Sequence, residues 1–320
     1  MLRILLSTVI VTLVLGQWLF SFSSSWAQVK FATPIRSSAR YVLPVTAALE
    51  QGFWKNQGVE VKWVPFDSAT TMNRAVAAGE IDMGSLGMNT IITAVSAGVP
   101  QVAVADTGIS LIFHFWVRAN SLMQRPEDLK GAKIGITRFG SETHAYTVAV
   151  LKALGLKTDV KLLSMGGVGP QIAGLKSGAI DVTVLSLDPV ASLKVKEEVR
   201  SILKVNDYLP SDYEHLHMLY SVREFLDRHP AETRKIVLGF LQGGGFVMNN
   251  RSWTINKIMA DFRYPQAAAE LIYPSLRYDN KGKIDKTKVQ GAIKFLVESD
   301  LLKRDKVPPL EKVIAEGFTP

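Results

Sequence analysis

The chain has 320 residues, 47% of them hydrophobic and 21% charged, with no cysteine and a formal net charge of +8. That composition excludes a disordered chain, a collagen-like fibre, a disulfide scaffold and any Cys-ligated zinc or iron–sulfur site. A charge excess this small, without long Lys/Arg runs, gives little support to a nucleic-acid partner and leaves a mild attraction for anions.

Met1-Leu2-Arg3 is a short basic start, and Ile4 to Phe22 carries no charge. Ser25 and Ala27 then stand at the −3 and −1 positions of a signal-peptidase site, so the order predicts a secretory signal peptide over 1–27, cut after Ala27. The rival reading is an uncleaved anchor, because the apolar run approaches the ~20 residues that span a bilayer. Either way the expected location is extracytoplasmic, in the periplasm. An exported chain without cysteine needs a large core in place of disulfides, and it cannot take the lipid anchor of a lipoprotein.

From Val29 the pattern alternates. Val29–Thr33 reads as a strand, Val42–Gln51 as a helix with Gly52 as its left-handed cap, and Val59–Phe66 as a strand. Thr70–Ala78 is a helix closed by Gly79, Ile81–Gly84 a strand, Met88–Ala97 a helix closed by Gly98, and Gln101–Ala105 a strand. The unit then recurs: strand Lys133–Thr137, helix to Leu154, strand Val160–Ser164, helix Gln171–Lys176, strand Ile180–Leu185, and a helix opened by Asp188-Pro189. Strands alternating with helices of about ten residues predict an α/β fold with parallel sheets. Beyond Pro210, Tyr213–Ser221 alternates like a strand. Helical stretches follow at Glu224–Arg228, Ala231–Asn249, Trp253–Phe262, Gln266–Leu276 and Thr287–Leu302, a tail expected to pack on the first lobe.

Val61-Lys62, Gly79, Ile81-Asp82 and Leu86 recur 99 positions later as Val160-Lys161, Gly178, Ile180-Asp181 and Leu185. The shared register predicts two lobes of similar topology: 28–115 with 206–320, and 116–205 between them. Crossings are expected near Ile112–Arg118 and Leu203–Leu219. Ligands of open α/β sheets bind beyond the strands' carboxyl ends, where helix N-termini point and suit anions.

Three stretches carry a family resemblance: YVLPVTAALEQGFWKNQGVEVKWV (41–64), AVAAGEIDMGSLG (75–87), and GSETHAYTVAVLKALGL through GLKSGAIDVTVLS (140–186). Their order and spacing resemble the extracytoplasmic solute-binding proteins of ABC importers, in the group of sulfonate, taurine, nitrate and thiamine-pyrimidine-precursor binders. The resemblance spans about 29–222. It implies a type II periplasmic binding fold with two crossover strands, which closes as a monomer on a small anionic or aromatic-polar molecule and then docks on a membrane permease. An exported sensor module would share the same pocket. The enzyme branch, fungal pyrimidine synthases, uses a Cys-rich motif that this chain lacks. No catalytic group, cofactor or metal is therefore expected, and no HExxH, GxSxG or nucleophile triad is present.

The candidate ligand contacts lie in the strand-end loops, each with a plainer alternative. Ser37 and Ser38 precede a helix and read as N-cap or loop serines, or as donors to an acid group. Arg36 and Arg40 are surface charges or anion forks; Asp67 sits in the next such loop, and Ser85 and Asn89 at the third. Arg138, Ser141, Thr143 and His144 surround a Gly-rich stretch that lacks the Lys-Ser/Thr of a P-loop. Gly167 would allow close backbone approach. Asp188 reads first as an N-cap with proline behind it. His215 and His217 share a strand face, with no third metal ligand in place.

Overall fold

The computed structural model describes residues 28–109, 112–279 and 281–320. The expected signal peptide and its cleavage site lie outside the described residues. Among these, no helix is long and apolar enough to cross a membrane.

The first part of the chain runs β1 (Val29–Thr33), α1 (Ala39–Glu50), α2 (Phe53–Asn56), β2 (Val61–Pro65), α3 (Ala69–Ala77), β3 (Met83–Gly87), α4 (Met88–Ser96) and β4 (Gln101–Asp106). The middle runs β5 (Phe113–Arg118), β6 (Lys133–Ile136), α5 (Glu142–Ala153), β7 (Lys161–Ser164), α6 (Val168–Ser177), β8 (Val182–Ser186), α7 (Leu187–Val195) and β9 (Val199–Lys204). The last part runs β10 (His217–Val222), α8 (Arg223–Arg228), α9 (Pro230–Asn249), α10 (Arg251–Phe262), α11 (Gln266–Ile272), α12 (Lys286–Glu298) and α13 (Leu310–Val313).

Two five-stranded sheets result, with orders β2-β1-β3-β10-β4 and β7-β6-β8-β5-β9. They share one plan. Each has a parallel core, β1 beside β2 and β3 or β6 beside β7 and β8. Each also has one antiparallel strand, β10 or β5, set between the third and fourth strands. The sheets are therefore mixed rather than wholly parallel, because each inserted strand enters its sheet straight from the other lobe and runs the opposite way. Strand β5 pairs along its whole length in the second sheet, which puts the first crossing before Phe113.

The 99-residue register has a physical basis. Asp82 Oδ2 accepts the Lys30 backbone N–H at 2.8 Å, and Asp181 Oδ2 accepts that of Lys133 at 2.9 Å. In each lobe the Ile-Asp pair thus braces the start of the first strand. That use of the aspartate moves the ladders of β3 and β8 about two residues later than the periodicity predicts. Strand β9 is an element that the sequence pattern did not suggest; only its last two residues, Leu203 and Lys204, fall in the stretch expected to cross between lobes.

The tail helices form where expected but touch both lobes. On the first lobe, α9 packs against α1 and α2, and Trp54 Nε1 donates to the Ile236 carbonyl at 2.9 Å. On the second, α11 packs against α7. The reason is spatial: α7 begins at the cleft, within reach of a helix that returns along the same edge.

Candidate functional site

The loops at the carboxyl ends of the parallel strands face one another across the two lobes, and they are in contact. The loop after β1 meets the start of α7, where Ser38 Oγ donates to Asp188 Oδ2. The loop after β2 meets those after β6 and β7: Arg138 Nε donates to Ser68 Oγ at 3.2 Å, and Gly167 lies against the Asp67 carbonyl. The end of β3 meets the first residue of α5, because a Cβ on Gly87 would overlap the Glu142 carboxyl.

A proline positions one half of this seam. Pro44 stands inside α1 and has no N–H for the carbonyl of Arg40 one turn back. That carbonyl instead accepts the Tyr278 hydroxyl at 3.0 Å. The Arg40 side chain, 4% exposed, donates from Nη1 to the Ser275 carbonyl and from Nη2 to Ser275 Oγ, both at 3.1 Å. Its Nε lies 3.6 Å from Asp188 Oδ1. Asp188 is wholly buried and also accepts from Ser186 Oγ at 2.7 Å. The N-cap of α7 is Ser186, not Asp188 as the sequence suggested. Asp188 sits inside the first turn with its carboxylate turned to the other lobe.

The second half of the seam is less satisfied. Antiparallel pairing sets His217 opposite Gly87 and Leu219 opposite Ser85, so Ser85, Gly87 and His217 share one face. Because Gly87 has no side chain, Glu142 fills the space beside His217. Glu142 Oε1 lies 3.6 Å from His215 Nδ1. The His215 ring bonds instead to the Tyr146 hydroxyl, which pairs with Tyr213 at 2.9 Å, and Tyr213 accepts from Asn89 Nδ2 at 2.8 Å. Tyr41 packs at a tilt against His217, with centroids 4.7 Å apart.

Several buried atoms here have no hydrogen-bond partner: Glu142 Oε1, His215 Nε2, both ring nitrogens of His217, Ser85 Oγ and Asn89 Oδ1. Each such atom costs about 1–3 kcal/mol when buried unpaired. Electrostatics follow from the same burial. It lifts the Glu142 carboxyl to about 8. His215 drops to about 3, through burial and then the Arg40 charge. His217 falls well below the usual imidazole value through burial, then through His215 and Arg40. The cluster is thus a neutral acid beside two neutral imidazoles.

The sequence candidates divide by location. Arg40, Ser38, Asp188, Ser85 and Asn89 lie in the buried seam. Arg36 and Asp67 pair with each other at the exposed rim, 2.7 Å apart, with Ser37 half-buried between Arg36 and Ser38. Ser141 and Thr143 are engaged locally: Ser141 Oγ donates to the Arg138 carbonyl at 2.7 Å, and Thr143 Oγ1 accepts the Thr137 N–H at 2.9 Å. His144 Nδ1 accepts the Gly140 N–H at 3.3 Å and, with Asn89, lines a cavity of about 150 Å³. Sequence reasoning missed Glu142, Tyr41, Tyr146 and Tyr213. It weighed His215 and His217 only as metal ligands, and among the described residues no group of three His, Asp or Glu could hold a metal ion.

Two lobes of one plan, two crossing connections and strand-end loops that meet over buried polar groups define the two-lobed periplasmic binding fold. The chain belongs to the NMT1/THI5 like family, whose model matches residues 39–252. It is 33% identical over 111 residues to the taurine-binding periplasmic protein of Escherichia coli K12, covering 35% of this chain and 34% of that one. It is 25% identical over 203 residues to a putative aliphatic sulfonates-binding protein of Bacillus subtilis 168, covering 62% and 60%. The chain thus spans between a third and three fifths of the curated relatives it matches. The alkanesulfonate-binding protein of Xanthomonas axonopodis pv. citri, solved with MOPS bound, superposes with a TM-score of 0.78 at 17% identity over 91% of this chain and 99% of that one.

Proposed function

We propose that this protein is the extracytoplasmic solute-binding component of an ABC importer. It captures one small anionic or aromatic-polar molecule between its lobes and delivers it to a permease in the inner membrane. It is exported to the periplasm, works as a monomer and performs no covalent chemistry. The lobes, 28–115 with 206–320 and 116–205 between them, swing about the two connections that cross between them. The observation that carries this reading is the set of buried polar atoms without partners where the strand-end loops face each other; a binding protein leaves such groups for its guest. The relatives named for taurine and aliphatic sulfonates support it. In this reading Ser38, Arg40, Ser85, Asn89 and Asp188 contact the solute or the closing seam. Arg36, Ser37, Asp67, Arg138, Ser141, Thr143, His144 and Gly167 shape the mouth.

Thermal unfolding and small-angle scattering against sulfonate, carboxylate and pyrimidine panels test it. A solute at 100 times its Kd should stabilise the protein by about 2.7 kcal/mol. Absence of any stabilisation or compaction across the panels, with no solute carried through purification, would overturn it.

A further inference from the structure

The seam holds an arginine and an aspartate that satisfy each other and one acid that nothing satisfies. Arg40 is committed to Asp188 and to both acceptors of Ser275. An anion reaching this depth would find Arg40 already engaged, and burying it there without a cation of its own would be costly. Glu142 is the reverse case. Its side chain is 12% exposed, Oε1 has no hydrogen-bond partner, and the closest basic atom is His215 Nδ1 at 3.6 Å. Beside it stand His215, 6% exposed with Nε2 unpartnered, and His217, fully buried with both nitrogens unpartnered. The rings of Tyr41, His217 and His215 lie in series, with centroids 4.7 and 6.5 Å apart.

Resting on the binding role proposed above, we infer that the innermost group of the captured solute is a cationic nitrogen, of ammonium or amidinium type, received by the Glu142 carboxylate over Gly87 and flanked by His215 and His217. The rest of the solute, whether aromatic or bearing an acid, points toward the rim. Glu142 is then a specificity-determining residue, and Gly87 is the position that makes room for it.

Charge bookkeeping gives this a signature. The groups facing Glu142 are Tyr41 from α1, Tyr146 from α5, Tyr213 and His215 from the crossing segment and His217 from β10, with the Arg40–Asp188 pair beyond. Burial holds the tyrosines protonated and the imidazoles neutral at pH 6–9. Glu142 alone titrates there, near 8. A cation that binds at pH 6 must expel the Glu142 proton to water, leaving carboxylate and cation paired. Its affinity therefore rises close to tenfold per pH unit until Glu142 is ionised.

The test is calorimetric titration of the purified protein with benzamidinium, benzamide and benzoate, alike in shape and different in charge, at pH 6, 7 and 8. Benzamidinium should bind at least tenfold more tightly than benzamide at pH 8, and its affinity should rise at least tenfold from pH 6. Glu142→Gln, checked for native circular dichroism, should remove both effects. If that variant fails to fold, Gly87→Ala, which displaces the Glu142 carboxyl, should weaken benzamidinium at pH 8 at least tenfold and abolish its rise from pH 6 to pH 8. Benzoate binding that falls with pH, with benzamidinium weaker throughout, would overturn the inference and leave the binding role standing: Glu142 would then be a neutral donor to an acid. Absence of benzamidinium binding, or co-purification of a solute with no basic nitrogen, would overturn it as well. Only failure of all panels and of co-purification reaches the binding role itself.

Discussion

Arg40 and Asp188 come from different lobes and meet with Nε 3.6 Å from Oδ1, both side chains almost fully shut off from water. A buried pair of this kind is a poor source of net stability but a strict condition on geometry, since each partner alone is an uncompensated charge. It therefore acts as a latch on the closed arrangement.

Replacing Asp188 with alanine leaves the guanidinium without its carboxylate. The closed form should lose about 3–5 kcal/mol, the range for a buried pair broken on one side. In solution the scattering radius should grow and the urea midpoint should fall. Unchanged values of both would show that the lobes are held by other contacts.

At Gly87 the backbone is fixed by β10, so an added methyl has to displace Glu142. Gly87→Ala should cost the closed form about 1–3 kcal/mol of overpacking. Shortening the intruding side chain relieves the clash, so Gly87→Ala with Glu142→Ala should recover much of that loss. A double-mutant cycle with zero coupling would show that the two positions do not press on each other.

The pH dependence of stability has two limbs. Glu142 titrates near 8 in the folded chain, against an ordinary value of about 4.3. The folded state thus binds a proton in that window that the unfolded state does not. Its contribution is complete below the ordinary value and fades by about 1.4 kcal/mol per unit as pH rises toward 8. His215 and His217 act in the opposite sense. Their contribution is present above about 6.5, and it is lost as pH falls through their lowered values. Urea unfolding at pH 6.5 and 8 should show a loss that Glu142→Gln flattens while the acid limb persists. Equal slopes in both proteins would contradict the burial argument.

Trp54 ties the tail to the first lobe, 1% exposed, with its ring 5.5 Å from that of Phe31 and its N–H on the Ile236 carbonyl. Trp54→Ala should destabilise that lobe by about 3–5 kcal/mol, seen as a lower first transition in calorimetry. A single transition at the parent temperature would refute the assignment of α9 to the core of that lobe.

Much of the architecture was legible because it rests on local rules. Val29–Thr33 was read to the residue, and Gly52 takes the left-handed conformation that a helix end there requires. The recurrent Ile-Asp could be recognised as a folding device because both copies perform the same short-range task. Glu142 was invisible for the opposite reason. An acidic residue in the first turn of a helix reads as compensation of the helix dipole, and nothing nearby in sequence shows that Gly87, from another lobe, has cleared a space for it. Asp188 was misplaced by one structural role because a proline behind an aspartate imitates a helix start.

The seat of α11 on α7 has a mechanical consequence. The tail is rooted in the first lobe through α9, yet one of its helices, with Ala268 and Ala269 buried, rests on the second. Parting the lobes must slide or peel that apolar footing, so part of the resistance to opening lies in a contact between two helices rather than in the polar seam. Substitutions in that footing should then change how readily the lobes part while leaving every residue of the polar seam as it is.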